Sequence, residues 1–172
     1  MLNKFLRENV IAAYGLLILR LYIGYEWMTA GWGKITGGAF DTTGFLKGAI
    51  GKASGEHPAV QTWWANFLES FALPNADLFT FLVQWGEFLV GLGLILGCFT
   101  TLAALMGMVM NFAFLFSGTV STNAQMVALT IFIVAAGANA GRFGVDRYML
   151  PALKALIFKN RSKEVGTKTA LH

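Results

Sequence analysis

The chain has 172 residues and a mass of 18.7 kDa, enough for one domain and short for two. Hydrophobic residues make up 56% and charged residues 13%, with a mean hydropathy of +0.59; ordinary soluble domains hold about 45–50% and about 25%. Such a composition excludes disorder and a soluble globule, and Cys98 as the single cysteine excludes a disulfide-stapled scaffold.

In chain order, the first apolar run covers Val10–Trp32 and is interrupted by Arg20 and Glu26. A long outer loop follows over residues 34–77. Within it Val60, Trp63, Trp64, Phe67, Leu68 and Phe71 share one helical face, which predicts an amphipathic helix beginning near Pro58. That helix is read either as an interfacial anchor or as a lid over a cavity. The second run covers 78–97 with Glu87 as its one intramembrane charge; the third covers 101–116 and the fourth 125–140, both uncharged. Period-two alternation is absent from these runs, which argues against a β-barrel. The predicted fold is all-α, an integral membrane antiparallel four-helix bundle in a single domain over 1–172, closed by a basic tail over 142–172.

The net charge of +4 is unevenly placed, with seven of the thirteen Lys and Arg residues at or after Arg142. No nucleic-acid signature accompanies them, so the bilayer and not nucleic acid is the predicted partner. Lys4 and Arg7 lie at the other terminus, while Lys34, Lys47 and Lys52 are balanced by Asp41, Glu56, Glu69 and Asp77. This bias predicts a bacterial multi-pass protein of the cell membrane with both termini cytoplasmic. The N-terminus reads poorly as a cleaved signal, because Arg20 breaks the apolar stretch.

Charges inside spans are costly and mark candidate sites. Arg20, Glu26 and Glu87 are the candidate catalytic residues. Arg20 and Glu26 point about 120° apart on one helix, so Arg20 is expected to pair with Glu87 across the bundle. Arg20, Gly24, Trp27, Gly31 and Lys34 share a face; Asn111 and Asn139 face the interior either as interhelical contacts or as ligand contacts. Trp27, Trp32, Lys34, Asn111 and Asn139 are the candidate cofactor-binding residues. Neither His57 nor His172 lies in a span to hold a haem, and no flavin, nucleotide or metal spacing is found. If electrons pass through the chain, a diffusible quinone is the expected carrier.

Gly24-Tyr25-Glu26-Trp27-Met28-Thr29-Ala30-Gly31-Trp32-Gly33-Lys34 resembles the G-x-E-W-x-x-A-G-x-x-K signature of the DoxX/DoxD family. Gly86-Glu87-Phe88-Leu89-Val90-Gly91-Leu92 is similar to that family's G-E-x-x-x-G-L, and Asn111 and the stretch Gly137–Asp146 also look like family positions. The resemblance implies a four-helix membrane protein of oxidoreductase systems. Its best-known type is the membrane subunit of thiosulfate:quinone oxidoreductase, which works with a second, smaller subunit. The leading expectation is a quinone-interacting subunit with Glu87, Glu26 and Arg20 at the polar end of a pocket and Trp27 and Trp32 as its aromatic wall. A soluble or membrane redox partner subunit is implied. The competing expectations are a non-catalytic anchor or assembly subunit and a small proton-coupled transporter using Glu26.

Overall fold

The computed structural model describes residues 1–155, so Lys159, Arg161, Lys163 and Lys168 of the basic tail lie outside the described residues. Among the described residues every regular element is helical. A short α1 (Leu2–Glu8) leads into α2 (Val10–Gly37), and the side chain of Asn9 starts the second helix by accepting from the backbone N–H groups of Ile11 and Ala12. Asp41 does the same for α3 (Thr42–Gly51) through the N–H of Thr43. Then come α4 (Thr62–Phe67), α5 (Ala76–Leu96), α6 (Thr100–Phe116), α7 (Asn123–Ala136) and a 3-10 turn over Gly137–Gly141. A final helix, α8, occupies residues 146–155.

The expected outer loop is mostly helical. α2 runs on to Gly37, and α3 is an element that the apolar pattern does not reveal. The amphipathic helix begins at Thr62 rather than near Pro58, because the Lys52 carbonyl accepts from the N–H groups of Ala59 and Val60 and closes a turn there. It then continues into α5 through a π turn (Leu68–Ala72) and a 3-10 turn (Leu73–Asn75). Pro74 supplies the cause: it has no N–H to donate back along the helix and its ring crowds the preceding turn. Residues Thr62–Leu96 thus form one irregular rod of 35 residues.

Three helical stretches, Val10–Gly37, Thr62–Leu96 and Asn123–Gly141, are long and apolar enough to cross a membrane, and α6 is a shorter apolar helix of 17 residues. The most extensive packing is between α2 and α5; α6 packs on both α5 and α7, and α7 also touches α2. The α2–α5 seam is antiparallel and backbone-close. A Cβ on Gly31 would meet the backbone of Phe88 and Gln84, and one on Gly91 would meet the backbone of Met28. The main core of Leu16, Ile23, Trp27, Val90, Leu94, Ala104, Met126 and Ile133 fills the space between these helices. A second, smaller core of Leu46, Ala49, Leu68 and Ala72 fixes α3 against the irregular rod at the other end from α1.

Candidate functional site

α3 and α4 cap a cavity of about 370 Å³ above the main core. Thr42 anchors the cap to α5: its N–H donates to Thr80 Oγ1 (3.1 Å) and its hydroxyl to the Ala76 carbonyl (2.9 Å). The cavity wall is largely apolar and rich in aromatic rings, among them Phe40, Phe45, Trp64, Phe67 and Phe114, with Ser117, Thr119, Thr122 and Asn123 adding uncharged polar groups. Trp64 is fixed by its Nε1–H, which donates to Ser117 Oγ at 2.9 Å. Of the two roles expected for the amphipathic helix, the lid is served by Trp64, Phe67 and Leu68, while Trp63 and Phe71 turn outward and are half exposed.

Glu26, Trp27, Lys34 and Glu87 all line this cavity. Lys34 Nζ donates to Glu87 Oε2 at 2.5 Å; the Lys34 side chain is 26% exposed and that of Glu87 is 3% exposed. The ammonium also lies 5.4 Å from the centroid of the Phe40 ring. Glu26 has neither an ion pair nor a side-chain hydrogen bond among the described residues, so its carboxyl is free to meet whatever enters.

The expected pairing of Arg20 with Glu87 is wrong. The α2–α5 register sets Gly24 beside Ile95 and Gly31 beside Phe88, and therefore Arg20 beside Gly97. Gly97 is ten residues beyond Glu87, about 15 Å along the helix axis. Helical side chains also lean toward the N-terminus. That tilt carries Lys34 back one turn, level with Ala30 and Glu87, and carries Arg20 further away.

Arg20 belongs to a clamp at the opposite end. Fully buried, it donates from Nη1 to the Ala140 carbonyl (3.0 Å) and from Nη2 to the Phe143 carbonyl (2.9 Å). These bonds hold the segment after α7 against the α5–α6 corner, where Gly97 (φ 64°) and Phe99 (φ 48°) turn the chain. Asp146 completes the clamp by accepting from the N–H groups of Phe99 (2.7 Å) and Thr100 (2.8 Å) at the start of α6. The sequence reading missed Asp146 as a structural residue, because its partners are more than forty positions away and share no periodicity with it.

Three other candidates do not meet the cavity. Trp32 is 55% exposed and packs its ring against Phe88 on the outside of the α2–α5 pair. Asn139 donates to the carbonyls of Leu6 and Asn9 and so ties α1 to the end of α7. Asn111 is fully buried on α6, where neither its amide nitrogen nor its oxygen finds a partner among the described residues. Signals for the two missed pocket features do exist in the chain. Asp41 before Thr42-Thr43 is a cap, with Phe45, Leu46 and Ala49 at helical spacing after it, and the N-terminal tilt of Lys34 points it toward Ala30.

Long apolar helices that bring Glu26 and Glu87 to one capped cavity define an integral membrane protein with a ligand-sized pocket. The chain belongs to the DoxX family, whose model matches residues 15–120, more than half of its length. The matched stretch carries Arg20, Glu26, Lys34, Glu87 and Asn111 and ends before α7. Neither a curated protein nor a solved structure matches the chain.

Proposed function

We propose that this DoxX-family protein is a multi-pass cell-membrane subunit of a quinone-linked oxidoreductase, with the capped cavity as the quinone-head site. The observation that carries the reading is the Lys34–Glu87 pair beside Glu26, which is unpaired among the described residues, in a cavity of about 370 Å³ whose remaining wall is mostly apolar. An apolar pocket with a few convergent polar groups suits a flat, two-carbonyl ring. A bound quinone supplies a carrier of two electrons and two protons, and the chain supplies the setting. Aromatic faces hold the ring, and Lys34 places a positive charge where an oxygen gains electron density. Glu26 holds or releases a proton at its carboxyl oxygens, and Glu87 keeps the ammonium in place. In this assignment Lys34 takes the role expected of Arg20.

On the same reading α2, α5, α6 and α7 cross the bilayer, with α3 and α4 on the outer face as docking ground for a redox partner subunit. The collection of Lys4, Arg7, Arg142, Arg147 and Lys154 at the opposite end supports cytoplasmic termini. Reporter fusions after Lys4 and within α3 should report opposite sides.

Purified protein should carry an extractable quinone, and a short-chain quinone should quench Trp27 and Trp64 fluorescence on titration. Lys34→Met should weaken that binding by roughly tenfold, the scale of one lost hydrogen bond to a charged group. Absence of both extractable quinone and quenching overturns the reading. A proton-coupled transporter is the second reading, favoured by the free carboxyl of Glu26; proton-dependent substrate flux in vesicles, abolished by Glu26→Gln, would establish it in place of the first.

A further inference from the structure

At the end away from the cavity, α1, the turn after α7 and α8 enclose a groove of about 480 Å³. Arg7, Arg142, Arg147 and Lys154 line it. None of these four cations has an acidic partner among the described residues, where the one ion pair is Lys34–Glu87. Asp146 also borders the groove, but both of its oxygens are engaged by the N–H groups of Phe99 and Thr100. Glu8 faces a separate shallow groove with Met1, Lys4 and Phe5.

Two of the guanidinium groups are fixed in advance. Arg7 Nε donates to the Ala135 carbonyl at 3.0 Å, and Arg142 Nη1 donates to the Glu8 carbonyl at 3.5 Å. Each is anchored at one edge and keeps other N–H groups free, the fork geometry that suits phosphate oxygens. Apolar groups lie beside the cations: Leu150 and Pro151 line the groove, and Tyr148 and Leu153 are exposed on the same helix, α8. A free aqueous anion has no use for such flanks. A lipid does, because its phosphate and its acyl chains must be met side by side.

We propose that this groove binds an anionic phospholipid, with the headgroup phosphate among Arg7, Arg142, Arg147 and Lys154 and the acyl chains leading away along Leu150, Pro151 and the exposed apolar side chains of α8. The site is independent of the cavity and of any quinone. Basic pockets at membrane-facing helix ends recognise anionic headgroups through summed charge, each near-surface cation contributing about fivefold.

The test is native mass spectrometry of the full chain in detergent, titrated with phosphatidylglycerol or with phosphatidylcholine of the same acyl chains. Phosphatidylglycerol should bind in preference. Arg147→Gln/Lys154→Gln removes two cations that make no backbone hydrogen bond and should weaken it about thirtyfold. Lys52→Gln, at the cavity end, should leave it unchanged, and circular dichroism of each variant confirms the helical fold. Equal binding of the two lipids, unchanged binding in the double variant, or full displacement of the lipid by an equal concentration of inorganic phosphate would overturn the proposal.

Discussion

Removing Lys34 should cost more than removing the charge of Glu87. The asymmetry follows from burial, since the Lys34 side chain is 26% exposed and that of Glu87 is 3% exposed. In Glu87→Gln the shape is kept and the ammonium swings to the surface, at a cost of about 1.5–3 kcal/mol for the lost charged hydrogen bond. In Lys34→Met the carboxylate stays where it is, enclosed and unpaired, and the cost rises to about 3–5 kcal/mol. Lys34→Met/Glu87→Gln carries no stranded charge and should be more stable than Lys34→Met alone by at least about 1.5 kcal/mol. Reversible unfolding in mixed detergent, followed by circular dichroism, measures all four members of the cycle. Losses that add to within about 0.5 kcal/mol would show that the two side chains are not coupled and would refute the reasoning.

Three further outcomes follow from the geometry. Arg20→Met should lose about 3 kcal/mol, because the buried Ala140 carbonyl and the part-buried Phe143 carbonyl lose their charged donor, and Glu87→Gln should neither relieve nor deepen that loss in the same unfolding assay. Gly31→Ala should cost about 1–3 kcal/mol by forcing the α2 and α5 backbones apart, whereas Gly33→Ala, with open space around it, should be neutral or stabilise by up to about 1 kcal/mol. The N–H of Thr43, then its hydroxyl, holds the Asp41 carboxyl below its ordinary value of 3.8. The cap of α3 should therefore be fully formed above that value and be lost as pH falls through the lowered one. Hydrogen exchange of the α3 amides should show this loss in the natural chain and not in Asp41→Asn.

How much of this was legible in the sequence differs by level. Apolar blocks gave away the start of α2 and the bounds of α5, α6 and α7 to within a few residues, because such helices are legible in composition, but not that α4 and α5 join into one stretch from Thr62 to Leu96. Glu26, Trp27, Lys34 and Glu87 meet at one cavity and were all singled out beforehand, since a charge in an apolar run is conspicuous wherever it points. Their partners were not legible. Whether Glu87 meets Lys34 or Arg20 depends on the α2–α5 register, which the close seams at Gly31 and Gly91 set through contacts far apart in sequence. α3 escaped for another reason: Gly44, Gly48 and Gly51 lower its intrinsic helicity, and it is held by its cap and by packing on α5.

The core between the two polar ends has an electrical consequence. Ile23 and Leu94 are fully buried at one level of the α2–α5 seam, with Trp27 and Val90 in the next layer toward the cavity, and Ile133 closes the layer from α7. Charge meets such a layer as it meets lipid, so the cavity is a cul-de-sac rather than a channel. On the proposed reading a proton taken up by Glu26 leaves by the mouth through which it came. Turnover at this site then moves no net charge across the bilayer, and its rate should be the same in vesicles held at zero potential and in vesicles held at 100 mV of either sign, where a transmembrane charge movement would feel about 2.3 kcal/mol.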